Sequence, residues 1–208
     1  MARKTKEEAE RTYHLLLDAA IDEFTDRGVA HTTLLQIATR AGLTRGAIYW
    51  HFKNKDELIM ALWKHKAGEE HDMFCKEMRE LKPNLGAEHF IMLMTMMVAQ
   101  LGQDPQMRQT LHIISTVMEY ADPESEISMY MYARSEEVHS SITTAIQILQ
   151  SHDIIKLKIP AEIMASGAFA YFVGLADICM MNSCSQHRTV DVGKHAKELV
   201  ELMVSGWF

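Results

Sequence analysis

The chain has 208 residues, 48% of them hydrophobic and 24% charged, with a formal net charge of -7. That composition suits one large or two small domains with a sizeable core and excludes a disordered or low-complexity chain. Three cysteines, no hydrophobic leader behind the charged start MARKTKEEAER, and no apolar run of the ~18 residues a membrane span needs together predict a reduced cytoplasmic setting without a membrane partner.

Helical periodicity runs along nearly the whole chain. Tyr13, Leu16, Leu17, Ala20, Ile21 and Phe24 recur at i, i+3, i+4, i+7 spacing, and Gly28 stands where a helix C′ residue belongs. In TTLLQIATRAG, Thr33 and Gln36 have capping-box spacing, Ile37 and Ala38 supply a small apolar face, and Gly42 stops the helix. LTRGAIYWHF follows with Thr44 as N-cap. Asn54 and Glu57 in NKDE form a second capping box, opening a longer helix through Trp63. The first 66 residues thus predict three short helices and the start of a fourth, joined by tight turns.

Beyond residue 66 the pattern predicts a helical bundle. DPQM sets Asp104 at an N-cap and Pro105 at N1, and DPES repeats that logic at Asp122 and Pro123. Pro83 and Pro160 mark two further breaks. Ile127, Met131, Val138, Ile142, Ile146 and Leu149 trace one long stripe. Residues 161–181 are apolar on most sides, as in a buried or twice-covered helix, although Asp177 interrupts them; 190–203 read as a final amphipathic helix. No alternating strand pattern, short-period repeat or linker is visible. The fold class is all-α, with about nine helices.

The glycine-stopped helix, the tight turn and the short helix after it make a helix-turn-helix. In that arrangement Ile48 and Phe52 face inward against Ile37 and Ala38. Thr44, Arg45, Gly46 and Ala47 stand at the exposed helix start, with Tyr49, Trp50 and His51 near the rim. Small residues around one arginine can enter a major groove, where the guanidinium pairs with guanine O6 and N7. Phenol, indole and imidazole donors can reach backbone phosphates. A glycine inside a helix costs about 1 kcal/mol relative to alanine. Gly46 offsets that cost through close approach to DNA or through close packing on the preceding helix, and both readings stand. The charge distribution agrees with a nucleic-acid face: residues 1–66 hold 11 Lys and Arg against 9 Asp and Glu, the remainder 10 against 19.

Other residues carry weaker chemistry. His71 and Cys75, at i and i+4, have metal-ligand spacing but no third partner nearby in sequence. Cys179 and Cys184 read as small buried thiols or a redox pair. Asp177 reads as a ligand anchor or a helix–helix hydrogen-bonding group. There is no G-x-S-x-G motif, no glycine-rich phosphate loop and no carboxylate pair set up for catalysis, so neither an enzyme nor a cofactor is expected.

TRGAIYWHFKNKDEL, preceded by TTLLQIATRAGL and by MARKTKEEA, resembles the TetR family of bacterial transcription regulators, and within it the AcrR-like branch that represses multidrug efflux genes. The similarity is dense over 1–63; beyond 66 it rests on helix count and on YFVGLAD followed by VDVGKHAKEL. The resemblance implies a DNA-binding head at 1–54 and a ligand-binding and dimerisation domain at 55–208. It implies a homodimeric repressor on a palindromic double-stranded operator, released by a small hydrophobic or amphipathic inducer. Thr33, Thr44, Arg45, Gly46 and Ala47 are then expected at base edges or backbone, Tyr49, Trp50, His51 and Lys55 at phosphates or, for Trp50, in packing, and Arg3, Lys4 and Lys6 as a basic arm. Trp63, Phe90, Met94, Met97, Ile113, Met118, Tyr130 and Phe169 are pocket candidates or plain core; the 16 methionines favour an adaptable lining. The last two helices, with Phe172, Leu175, Leu199 and Met203, are expected at the dimer interface. Regulation of lipid, metabolic or signalling genes, activation in place of repression, or a helical interaction module are the alternatives.

Overall fold

The computed structural model describes residues 6–184 and 190–208, the side chains of 181–184 excepted. Among them nine α-helices and no strand occur: α1 (Lys6–Arg27), α2 (Leu34–Arg40), α3 (Arg45–His51), α4 (Lys55–Arg79), α5 (Gly86–Gln103), α6 (Pro105–Tyr120), α7 (Glu126–Ser151), α8 (Ala161–Cys184) and α9 (Ala196–Met203). They fall into two compact units. One takes the chain up to Lys66 together with 109–130; the other takes 67–108 and 131–208.

The first unit follows from its caps and apolar stripes. Leu16, Leu17, Ala20, Ile21 and Phe24 are buried along α1, which at 22 residues is longer than the short helix expected. Each of the leucine, isoleucine and phenylalanine side chains contributes roughly 1.5–3 kcal/mol when removed from water. Gly28 ends α1 at φ +77°, its N–H donating to the Phe24 carbonyl at 2.9 Å. At α2 the Gln36 N–H donates to Thr33 Oγ1 (3.3 Å) and the Thr33 N–H to Gln36 Oε1 (2.8 Å), a complete capping box. Gly42, at φ +68°, closes α2 in a Schellman turn, in which the Leu43 N–H reaches the Ala38 carbonyl (2.8 Å) and the Gly42 N–H the Thr39 carbonyl (3.0 Å). At α4 the box is shifted: Asn54 Oδ1 accepts from the Glu57 N–H (2.8 Å), but the Glu57 carboxylate accepts from the Lys53 N–H (2.7 Å), one residue before the cap.

The unit's limit at Lys66 differs from the boundary expected at 54. Leu58, Ile59 and Leu62 of α4 are buried, Lys55 Nζ donates to the Val29 carbonyl at 2.8 Å, and Lys66 Nζ stands 3.6 Å from an Asp18 oxygen. The first turns of α4 are therefore part of the head. The start of α7 also differs from expectation. Asp122 does not cap a helix: its carboxylate takes the Glu124 N–H (2.9 Å) and its carbonyl the Ser125 N–H (2.9 Å), forming a turn. Ser125 then caps α7, Oγ accepting from the Ser128 N–H at 3.3 Å.

In the second unit α5 packs on α8 and α9. Asp104 caps α6 as expected, accepting from the Gln106 and Met107 N–H groups (2.8 and 3.1 Å). The last helix begins at Ala196 and not at 190. The physical reason is a backbone crossing: a Cβ on Gly193 would stand 2.7 Å from Gly102 Cα. Asp191 turns the chain there by accepting the Lys194 N–H at 3.1 Å. Segment 83–103 and α8 are each long and apolar enough to cross a membrane, against the expectation that no segment is. Buried Ala161, Met164, Ala165, Ala168, Leu175 and Cys179 mark one face of α8, while Ile163, Val173 and Ile178 on the other are open, so the helix is covered on one side only in a single chain.

Candidate nucleic-acid interface

Ile48 (0% exposed) and Phe52 (2%) lock α3 onto Ile37 and Ala38 (both 0%), which fixes the opposite face of α3 outward. That face carries Arg45, Gly46, Tyr49 and Trp50, all exposed. Thr44 caps α3, its Oγ1 accepting from the Ala47 N–H at 3.2 Å, which leaves the hydroxyl proton available to a phosphate. Thr33 is more committed: its hydroxyl donates to Gln36 Oε1 (2.8 Å) while accepting from the Gln36 N–H. The Arg45 guanidinium lies 5.5 Å from the Tyr49 ring centroid. A Cβ at Gly46 would meet nothing nearer than Thr44 Oγ1 at 3.9 Å, so close packing does not explain this glycine.

The rim residues divide. His51 is half-buried, its ring 5.7 Å from Tyr13 and 4.5 Å from Trp50. Tyr13 also packs on Phe52 (5.4 Å), and burial pushes its phenol pKa up. Trp50 is 71% exposed and meets the protein edge-on at the His51 ring, so most of its indole faces outward. Lys55, expected at a phosphate, is half-buried with its Nζ donating to the Val29 carbonyl, a contact within the fold. Lys53, which sequence reasoning passed over, is exposed in the turn between α3 and α4; the only local signal there belongs to its neighbours Asn54 and Glu57, as a cap. Lys6 is exposed at the start of α1, and Arg3 and Lys4 lie outside the described residues.

A separate arginine positions the head. Arg40 NH1 reaches Glu23 Oε1 (3.1 Å), NH2 reaches Asp26 (2.8 Å) and Nε stands 3.6 Å from Asp22. Glu23, with its side chain only 8% exposed, also takes Arg27 Nε at 3.0 Å. The side-chain hydrogen bonds to Asp26 and Glu23 raise the Arg40 pKa. This network ties α2 to α1 beneath the turn.

The ligand-side candidates lie in both units. In the first, Trp63 is buried and meets Tyr130 edge-on at 5.8 Å, Ile113 is buried and Met118 half-buried. In the second, Phe90 and Met94 are core, Phe90 stacking with Trp207 at 6.1 Å, and Met97 is half-buried. Only Phe169 lines the open recess of about 510 Å³ formed with Tyr132, Ala133, Ser135, Glu136 and His139. The spacing of Tyr132, Glu136 and His139 on one face of α7 was the available signal, hidden because the apolar stripe of α7 runs along another. Of the interface candidates, Leu175 is buried (6% exposed), while Phe172, Leu199 and Met203 are half-buried. Asp177 is exposed on α8, and Cys179 is buried, its thiol pKa pushed up by burial; the Cys184 side chain lies outside the described residues.

His71 and Cys75 belong to an ion cluster. His71 Nδ1 faces Asp72 Oδ1 (3.2 Å) and Nε2 faces the Arg134 carbonyl (3.0 Å), with Cys75 Sγ 3.9 Å from Nε2. Both ring nitrogens thus face oxygen acceptors, an arrangement that favours the imidazolium. Burial lowers the pKa, but hydrogen bonds to Cys75, the Arg134 carbonyl and Asp72 outweigh it and raise it to about 9. Atoms of His71, Asp72 and Glu137 lie within 4.8 Å of one another, as a metal site requires. The Arg134 guanidinium already takes Glu137 (2.6 Å), and a cation there would have to displace a proton and compete with that arginine.

The sequence and fold have known counterparts. Residues 16–62 match the model of the bacterial regulatory proteins of the tetR family. The chain is 36% identical over 177 residues to the HTH-type transcriptional regulator TtgR of Pseudomonas putida, covering 84% of this chain and 83% of that protein. It is 28% identical over 204 residues to the HTH-type transcriptional regulator AcrR of Shigella flexneri, covering 98% and 93%. In fold it is similar to NalD, the secondary repressor of the MexAB-OprM multidrug efflux pump in Pseudomonas aeruginosa, with a TM-score of 0.80 at 24% identity over 97% of this chain and 98% of NalD. The SmeT–triclosan complex follows at TM-score 0.74 and 24% identity, over 94% and 90%. With its helix-turn-helix exposed, its caps in place and a relative of this identity spanning most of both chains, the protein belongs to the TetR family of bacterial transcription regulators.

Proposed function

We propose that the chain is a ligand-responsive repressor that binds a palindromic operator as a homodimer and controls a multidrug efflux operon and its own gene. The observation that carries the DNA half is the outward face of α3, where Arg45, Tyr49 and Trp50 stand exposed around a glycine that no internal contact requires. Two copies of α3 read successive major grooves, one helical turn of ~34 Å or a multiple apart. Dimerisation is supported by the open apolar face of α8, with Ile163, Val173 and Ile178, and by Leu202 on α9 at 66% exposed. The efflux assignment draws on what NalD represses and on the triclosan held by SmeT.

Release follows from linkage. A hydrophobic or amphipathic compound in the helical domain favours a dimer geometry whose α3 spacing no longer fits the operator. Compound and DNA then weaken each other's binding by the same factor. α4 contributes its first turns to one compact unit and its remainder to the other.

The test is fluorescence anisotropy with duplex DNA from upstream of the gene against a scrambled duplex, followed by a panel of bile acids, dyes and antibiotics. Tight specific binding released by an amphipathic compound is expected. Tight binding that no compound releases moves the inducer to another class. Equal binding to both duplexes would defeat autoregulation.

A further inference from the structure

We infer that Tyr49 is a specificity-determining positioning residue, its ring holding the Arg45 guanidinium in the pose that reads a guanine edge in the major groove. The inference rests on the DNA-binding reading above. Arg45 opens α3 and Tyr49 follows one turn later. Helical side chains lean toward the N-terminus, so the ring at i+4 covers the residue at i. The guanidinium carbon is 5.5 Å from the ring centroid, within cation–π range.

The two arginines of the helix-turn-helix are held by opposite means, and the difference decides what each can do. Arg40 is held by carboxylates, with NH1 on Glu23, NH2 on Asp26 and Nε beside Asp22. Arg45 is held by a ring face and has no carboxylate partner among the described ion pairs. A ring attracts the cation through its quadrupole and accepts none of the planar N–H bonds. The fork needed for O6 and N7 therefore stays open while the long side chain is restrained. An unrestrained arginine gives up more rotamer freedom on binding. Tyr49 is 48% exposed, so the pair stands on the surface that meets DNA. Gly46 beside it presents no side chain to obstruct that approach.

The experiment is selection of full-length wild type, Tyr49→Phe, Tyr49→Leu and Arg45→Lys against a randomised duplex pool. It is read as discrimination at each position of the enriched motif and, separately, as affinity for bulk genomic DNA. Circular dichroism and thermal unfolding verify that each variant is folded. The expected result is that Tyr49→Phe keeps wild-type guanine discrimination at the Arg45 position. Tyr49→Leu loses about two- to fivefold of it, and Arg45→Lys loses it as well. Both Tyr49 variants lose bulk affinity alike, because both lack the hydroxyl that reaches phosphate. Unchanged discrimination in Tyr49→Leu, or equal loss in Tyr49→Phe and Tyr49→Leu, overturns the positioning role and leaves DNA binding intact. Enrichment of no motif by the wild type overturns both.

Discussion

A methyl group at Gly46 would touch only Thr44 Oγ1, at 3.9 Å, and alanine is the better helix former. Gly46→Ala is accordingly expected to raise stability by about 0.5–1 kcal/mol in urea unfolding. On the proposed DNA-binding reading, the same variant is expected to bind the operator more weakly in anisotropy, because the added methyl would obstruct close approach of the backbone to DNA. Loss of stability would return the glycine to a packing role. Thr33→Ala is a control of opposite character. It removes a cap with both of its bonds in place and should cost about 1 kcal/mol of stability. At this scale the sequence was legible where one residue acts on its near neighbours. Thr33, Thr44, Asn54 and Asp104 all cap as their spacing predicts. It was not legible where a residue acts across the chain: nothing local tells that Lys55 is tied to Val29, 26 positions away.

Among the elements, α4 and α7 show what charge does between helices. The His71 imidazolium of α4 bonds the Arg134 carbonyl of α7, and its side chain is only 8% exposed. Its folded pKa, about 9, lies above the ordinary histidine value of 6.5. The stabilisation from this group is therefore complete below the unfolded value and is lost as pH rises through the folded one. The urea midpoint of the wild type should fall between pH 6.5 and 9, and His71→Gln should flatten that fall. A wild-type midpoint that is level over this range would show that the ring is neutral. The periodicity of α7 named most of its buried stripe, with Ile127, Ile142, Ile146 and Leu149 buried and Met131 and Val138 half-buried. The same reading misplaced its start, because DPES can cap a helix or make a turn, and only the Ser125–Ser128 bond decides. Likewise 190–195 carry a helical pattern, but the chain turns there beside the Gly102–Gly193 crossing and the helix starts at Ala196.

For the whole molecule, a net charge of -7 repels a polyanion, so operator binding is expected to rest on local cations such as Arg45 and Lys53. Affinity should fall steeply with salt. Lys53→Gln should lower the slope of log K against log salt by about 0.9 without altering sequence preference, as loss of one phosphate contact does. A changed preference would place Lys53 at a base edge. Assembly is testable on the open face of α8: Val173→Glu, at a position 49% exposed, should shift a dimer toward monomer in light scattering and weaken operator binding. The all-α class, the helix-turn-helix and the helix order were readable because each is written in local periodicity and caps. Division into units was not, because it depends on which distant helices share a core: 109–130 join the head's unit with no sequence signal.

The three tryptophans occupy three different environments. Trp50 is 71% exposed on α3, Trp63 is buried at 6%, and Trp207 is half-buried against Phe90. Their emission is therefore separable by a soluble quencher: iodide or acrylamide reaches Trp50 first. The recognition helix carries its own optical reporter, and an unlabelled protein should signal arrival of DNA as protection of that one indole while the other two stay constant.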